Sequence, residues 1–239
     1  MRYYMIALVG MLSLLSACHT PYAVIRQQPT QSDAVWYQGK AFVSEENEQV
    51  QLVVAFEQQW DRNLIYELEI KNIGPNPLIV SPEHMYSMMS PGPDIISNEL
   101  IHAVNPEEQL LALDAALSRE RAYIANNRTA SLIGTVANTV GAVTADTPEE
   151  AQFYENEQID QNAWDANEEA AFQTNSTNLN DQKSLWQYDM LRRTTLQPGE
   201  SIQGRIAIPS RKVSAYSILH FPYGETPIKI PFSQTIHQP

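Results

Sequence analysis

A chain of 239 residues that is 43% hydrophobic has the length for one ordinary domain plus an elaboration, and the apolar content for a globular core. Its net charge of −13 argues against nucleic acid as a partner and against electrostatic adsorption to anionic lipid. Cys18 is the sole cysteine, which excludes an internal disulfide.

Arg2 supplies a positive start, and Met5 to Leu15 is an uncharged apolar run, too short for a membrane span of about 20 residues. Leu15-Ser16-Ala17 leads directly into Cys18. These residues resemble the lipobox of bacterial lipoproteins, in which a leucine and two small residues precede an invariant cysteine. The resemblance implies that residues 1–17 are removed as a signal peptide. By the same resemblance, Cys18 would be diacylated on sulfur and acylated on its new amine. One acyl chain anchors only marginally, whereas three hold essentially permanently. Lipid would also consume the only thiol. Residue 19 is His, not the Asp that resembles an inner-membrane retention signal, and no acidic run follows Cys18. The expected address is the outer membrane, facing the periplasm.

Residues 18–33 are polar, contain two prolines, and read as a tether. From Ala34 the hydrophobic period becomes two. Val35 to Val43 is expected as one strand. Val50, Leu52, Val54 and Phe56 alternate with a second set, as do Leu64, Tyr66, Leu68 and Ile70 with Glu67, Glu69 and Lys71, which predicts half-buried antiparallel strands. Gln58 to Asn63 is expected to connect them, and Asn72 to Pro77 is dense in turn residues before a short strand at Leu78–Val80. At the other end, Gln197-Pro198-Gly199-Glu200 forms a turn before alternating Ile202, Gly204, Ile206 and Ile208. Ala215 to Phe221 and Ile228 to Phe232 add two strands, with Pro231 confining the last to an edge or bulge. About seven short strands of this kind predict an Ig-like antiparallel β-sandwich formed by residues 34–104 and 191–239. Leu64 to Val80 and Leu196 to Pro209 also resemble strand motifs of Ig-like domains in bacterial lipoproteins and surface proteins. That resemblance implies a fold and no activity.

Residues 105–190 read as a helical insertion. Asn105-Pro106-Glu107-Glu108 and Thr147-Pro148-Glu149-Glu150 are two copies of one start signal: a cap, Pro in the first turn, and a Glu able to reach back. Leu110, Leu113, Leu117 and Ile124 form an apolar stripe on the first helix. Phe172, Leu179 and Trp186, seven apart, form a seam on the second, which Asn175 to Asn178 should kink or break. Thr129 to Ala145, expected as the connection of the hairpin, carries no charge, and Ala137, Gly141 and Ala145 are four apart, a spacing that lets helices approach closely. Between Asp146 and Asp189 lie eleven acids and one base, Lys183. They read as a solvated face that keeps the arm soluble.

No Gly-rich phosphate loop, nucleophile elbow or metal-spaced histidine motif occurs, so no catalytic, cofactor or metal residues are assigned. Two weaker patterns mark the alternative to a binding module. Glu99 lies three residues before His102, and His84-Met85-Tyr86-Ser87-Met88-Met89 offers imidazole and thioether groups of the kind that suit Cu(I). On a strand, however, Met85 and Met89 would share one face and His84 and Met88 the other. The expected function is therefore a lipid-anchored, non-enzymatic binding or scaffolding module that meets an envelope protein through residues 105–190. The alternative is a copper-handling protein or an enzyme using His84, Glu99 and His102.

Overall fold

The computed structural model describes residues 24–92, 100–211 and 214–237. Leu14 to Cys18 and Glu99 lie outside the described residues. Two five-stranded antiparallel sheets face one another. The first has the order β1-β12-β11-β7-β8, built from β1 (Val24–Pro29), β12 (Ile228–His237), β11 (Tyr216–Phe221), β7 (Tyr86–Ser90) and β8 (Leu100–His102). The second has the order β10-β5-β4-β3-β2, from β10 (Ser201–Pro209), β5 (Asn63–Asn72), β4 (Val50–Trp60), β3 (Lys40–Glu46) and β2 (Val35–Tyr37). A two-stranded ribbon pairs β6 (Leu78–Val80) with β9 (Thr194–Leu196). The chain is thus sheet-rich with a long helical hairpin between β8 and β9, a layout consistent with the sandwich read from the sequence.

Alternation makes the core. Val50, Leu52 and Val54 of β4, Leu64, Tyr66, Leu68 and Ile70 of β5, and Ile206 and Ile208 of β10 turn inward to meet Ile25, Met85, Met89, Leu219, Phe221, Ile230 and Phe232 of the other sheet. The Tyr66 and Phe232 rings meet edge to face at 5.5 Å. A buried polar chain crosses this core. Tyr66 and Ser217 both donate to Gln27 Oε1, Gln27 Nε2 donates to Gln234 Oε1 at 2.9 Å, and Gln234 Nε2 donates to the Ser214 carbonyl at 2.6 Å. Burial pushes the Tyr66 hydroxyl above the ordinary phenol range, so it stays a donor.

Several local expectations change. Residues 24–29, read as tether, are β1. Only Ile25 offers an apolar inward side chain there, and its inward partner Gln27 is tolerated because it is fully bonded within the polar chain. Val35 to Val43 is not one strand but the β2–β3 hairpin, reversed at Gln38 and Gly39, which both take positive φ (48° and 79°). Gln58 to Trp60 continue β4 instead of leaving it. An extra residue, Glu57, bulges between the Phe56–Tyr66 and Gln58–Ile65 pairs, and only Asp61 and Arg62 form the turn. Pro231 sits in β12, which is central, not an edge. Its carbonyl accepts from Thr30 just past the last residue of β1, so its ring nitrogen faces a side where the neighbouring strand has ended. Twelve strands are present among the described residues, more than the seven expected, because short strands such as β2, β8 and β9 carry little periodicity.

Candidate interaction surface

The hairpin consists of α1 (Pro106–Thr144) and α2 (Pro148–Ser184), followed by a wider turn of helix at Leu185–Asp189. Both caps work as read. Asn105 accepts from the Glu107 amide at 3.0 Å and Thr147 from the Glu150 amide at 3.2 Å; Glu150 reaches back to the Asp146 amide, whereas Glu108 accepts from the Asn105 side chain at 3.3 Å. Replacing Asn105 with Ala should cost about 1 kcal/mol of stability, measurable by denaturant unfolding.

Two feet fix the hairpin to the free edge of β10. On entry the Val104 amide donates to the Ala207 carbonyl at 2.9 Å, and on exit the Leu191 amide donates to the Arg205 carbonyl at 2.8 Å. Leu191 passes so close to Gly204 that an added Cβ there would lie 3.1 Å from it. A second apolar cluster fills the root: Leu113, Trp186 and Met190 bury Ile65 and Ala207, which point outward from the sheet, with Trp60, Val104, Leu110 and Leu179 around them. Charge surrounds this cluster. Glu57, on the bulge, accepts from Arg205 at 2.5 and 3.1 Å, Lys40 lies 3.6 Å away, and Arg205 reaches Asp189, the last residue of the hairpin, at 3.7 Å. Burial opposes ionisation of Glu57, but Arg205 and Lys40 outweigh it and hold the carboxyl below its usual range.

Beyond the root the two helices meet along a heptad seam. On α1 the half-buried or buried positions recur at Leu110, Leu113, Leu117, Glu120, Ile124, Asn127, Ser131, Gly134, Asn138 and Gly141. The character of the seam changes at Asn127. Before it, leucine and isoleucine fill the interface opposite Phe172 and Leu179. After it, the contacts are hydrogen bonds and small residues. Ser131 donates to Asp165, Gln161 Nε2 donates to the Ser131 carbonyl at 2.8 Å, Gln158 Nε2 to Thr135 at 3.3 Å, and Asn138 Nδ2 to Gln161 at 3.3 Å. A Cβ on Gly134 would lie 2.6 Å from Gln161 and one on Gly141 2.6 Å from the Tyr154 ring. Replacing Gly141 with Leu should therefore spread the distal helices, read as lost helicity and faster proteolysis near Tyr154. Thr129 to Thr144 belongs to α1 itself. The connection is the short stretch at Ala145–Thr147, and Ala137 faces outward, so only Gly141 and Ala145 of the small-residue set lie towards α2.

No break occurs at Asn175 to Asn178. α2 runs through it, and Asn175 bonds sideways to Glu120 of α1 at 3.0 Å instead of to its own helix backbone.

Where the distal seam is polar, the outward surface is apolar. Ile133, Val136, Val140 and Val143 (81% exposed) lie opposite α2, Leu132 (67%) is exposed at the rim of the groove between the helices, and Phe153, Ile159 and Trp164 are exposed on α2. The large side chains that ordinarily hold two helices together are on the outside. Compared with protein-family models, with curated proteins and with solved structures, the chain matches none. The surface must be read from its own chemistry. The sequence holds part of the signal: carrying the heptad from Leu110 onward separates a polar register from an apolar one beyond Asn127, without saying which of the two meets α2. Among the described residues, no helix is long and apolar enough to cross a membrane.

The histidine–methionine region resolves differently. Met85 and Met89 are buried in the sandwich core, while His84 is exposed and Met88 lies on the opposite face of β7. His102 pairs its Nδ1 with the Glu83 carbonyl at 3.0 Å. Among the described residues, no three His, Cys, Asp or Glu side chains converge as ligands for a metal ion. Sequence reading passed over His220. It stacks on Tyr86 at 4.7 Å, Tyr86 meets His102 at 5.6 Å, and His220 is only 6% exposed with its Nε2 unbonded. Burial, with help from Lys229, pushes the His220 pKa down. Its neutral form is thus favoured in the folded state, and the unfolded chain binds the extra proton below about pH 6.5. Stability should be fully present above that pH and fall as the pH drops towards 5. In His220→Gln the thermal midpoint should vary less over that range.

Proposed function

We propose that this protein is a lipid-anchored envelope protein, held through Cys18 at the outer membrane and facing the periplasm, whose helical arm is a non-enzymatic binding or scaffolding element. The anchor rests on Leu15-Ser16-Ala17-Cys18 and the apolar run before it. The arm's role is carried by one observation: beyond Asn127 the hairpin turns Leu132, Ile133, Val136, Val140 and Val143 to solvent and keeps its polar groups inside. Contiguous exposed apolar surface of this kind costs free energy in water and marks an interaction site. The sandwich supplies a stiff base for it, with the root cluster and two edge hydrogen bonds fixing the arm to β10.

Two measurements test the reading. Labelled palmitate should enter the wild-type chain and fail to enter Cys18→Ser. A photo-crosslinking side chain at Leu132 or Trp164 should capture discrete adducts in cells, whereas one at Lys229, exposed on β12, should not. Equal capture at all three positions, or none at any, overturns the binding arm. His84→Ala combined with His102→Ala should leave the adducts unchanged.

A further inference from the structure

The distal half of α1 carries a more specific statement. Its heptad is inverted. The positions facing α2 hold Ser131, Gly134, Asn138 and Gly141, while the positions farthest from α2 hold Ile133, Val136, Val140 and Val143, with exposed Leu132 at the margin, bordering the groove beside Asp165. We infer that this outer stripe is a self-association surface, and that two copies of the chain pack α1 against α1 across a two-fold axis. The inference rests on the arm being a binding element and names what it binds.

Charge selects the occupant. Residues 129–145 carry no ionisable side chain, whereas Asp146 to Asp189, which include all of α2, hold eleven acids and one base. The stripe lies on the side of α1 away from α2. A two-fold α1–α1 contact therefore joins neutral surface to neutral surface and leaves the two acidic helices on opposite outer sides, as far apart as the geometry allows. Any contact made through α2 would set carboxylates against carboxylates. A basic partner would find no counter-charge on the stripe. Entry of the tip into lipid would bury Asp146, Glu149 and Glu150, which sit at the turn between the helices. Side-chain chemistry fits a helix contact as well. Three of the five residues are valine and one is isoleucine, whose branched side chains have few rotamers to lose on burial.

Size sets the strength. From Leu132 to Val143 the stripe rises about 16 Å, three turns of helix. That is small beside the roughly 800 Å² that each partner buries in a standard interface, so the dimer should be weak and reversible in solution. Confining both copies to one membrane would raise their effective concentration and favour pairing.

The test uses the chain from residue 18 onward with Cys18→Ser. Sedimentation velocity over a concentration series into the hundreds of micromolar should show a reversible monomer–dimer equilibrium. Val136→Glu should weaken it by at least about 100-fold, because two carboxylates would face one another at the axis. Leu111→Glu, at an exposed apolar position near the root, should leave it unchanged. Val136→Cys should form an intermolecular disulfide under mild oxidation, while Glu157→Cys, exposed on α2, should not. A chain that stays monomeric at every concentration, or cysteines that crosslink equally at 136 and 157, would overturn the inference. So would a monomer that binds phosphatidylcholine vesicles through the stripe, which would make lipid the occupant. If the dimer fails while Leu132 still captures a different protein in cells, self-association is wrong and the binding arm stands. If both fail, both are wrong.

Discussion

Trp186→Ala is expected to cost about 3–5 kcal/mol and to loosen the whole arm from the sandwich. Trp186 is 3% exposed, lies 6.1 Å from the Trp60 ring, and occupies the centre of the root cluster with Leu113, Met190, Ile65 and Ala207. Little else could replace it. The Arg192–Glu107 pair at the same root is well formed at 2.6 and 2.7 Å, but both partners are exposed, and such pairs contribute about 0–1 kcal/mol. The main sandwich core is a separate cluster, so the damage should be local at first. Limited proteolysis should cut near Asn105 and Met190 in the variant and spare the strands, and denaturant unfolding should show the loss. An unchanged cleavage pattern would mean that the two edge hydrogen bonds to β10 suffice to hold the arm.

Asn72→Leu should be nearly as severe, although it adds apolar volume to an apolar surrounding. Asn72 is fully buried and uses its amide completely. Nδ2 donates to the carbonyls of Asn76 (2.8 Å) and Leu196 (3.0 Å), and Oδ1 accepts from the Gly74 amide and from Gln49 Nε2, each at 3.1 Å. One side chain thereby closes the turn after β5 and ties it to β9, the strand on which the chain returns from the hairpin. Leucine has the same number of side-chain heavy atoms in a similar branched shape and none of the bonds. Each buried polar group left without a partner costs about 1–3 kcal/mol, so a loss of about 3 kcal/mol or more is expected. For a chain of this length that lowers the thermal midpoint by roughly 6–12 °C. Asn72→Asp should fall between the two, since it keeps the acceptor and loses the donor. A Leu variant as stable as the wild type would show that the turn closes without Asn72.

Both effects illustrate what local pattern can and cannot carry. The strands at Val50–Trp60, Asn63–Asn72 and Ser201–Pro209 and the two helix starts were legible because their information is local: a period of two, or a cap followed three residues later by glutamate. Asn72 was legible as a turn residue, but its partners at Asn76 and Leu196 span both local and distant chain. β1 was missed because Gln27 looks like tether until Tyr66, Ser217 and Gln234 are seen around it. The expected kink at Asn175–Asn178 failed for the same reason in reverse: a weak helix sequence is held straight by Glu120, a residue of the other helix.

By itself, then, the sequence determined the sheet-and-hairpin fold class and the acidic arm, since composition, periodicity and capping act within a few residues. Tertiary structure alone decided which strands are neighbours, that Ile65 and Ala207 are covered by the root of the arm although they point away from the core, and that a proline can sit in a central strand where its neighbour ends. It also decided which side of α1 meets α2. A helix with small and polar residues on one side and large apolar residues on the other is expected to pack by its apolar side. Here the proximal leucines and Trp186 fix the register at the root, and in that register the distal aliphatic stripe points outward.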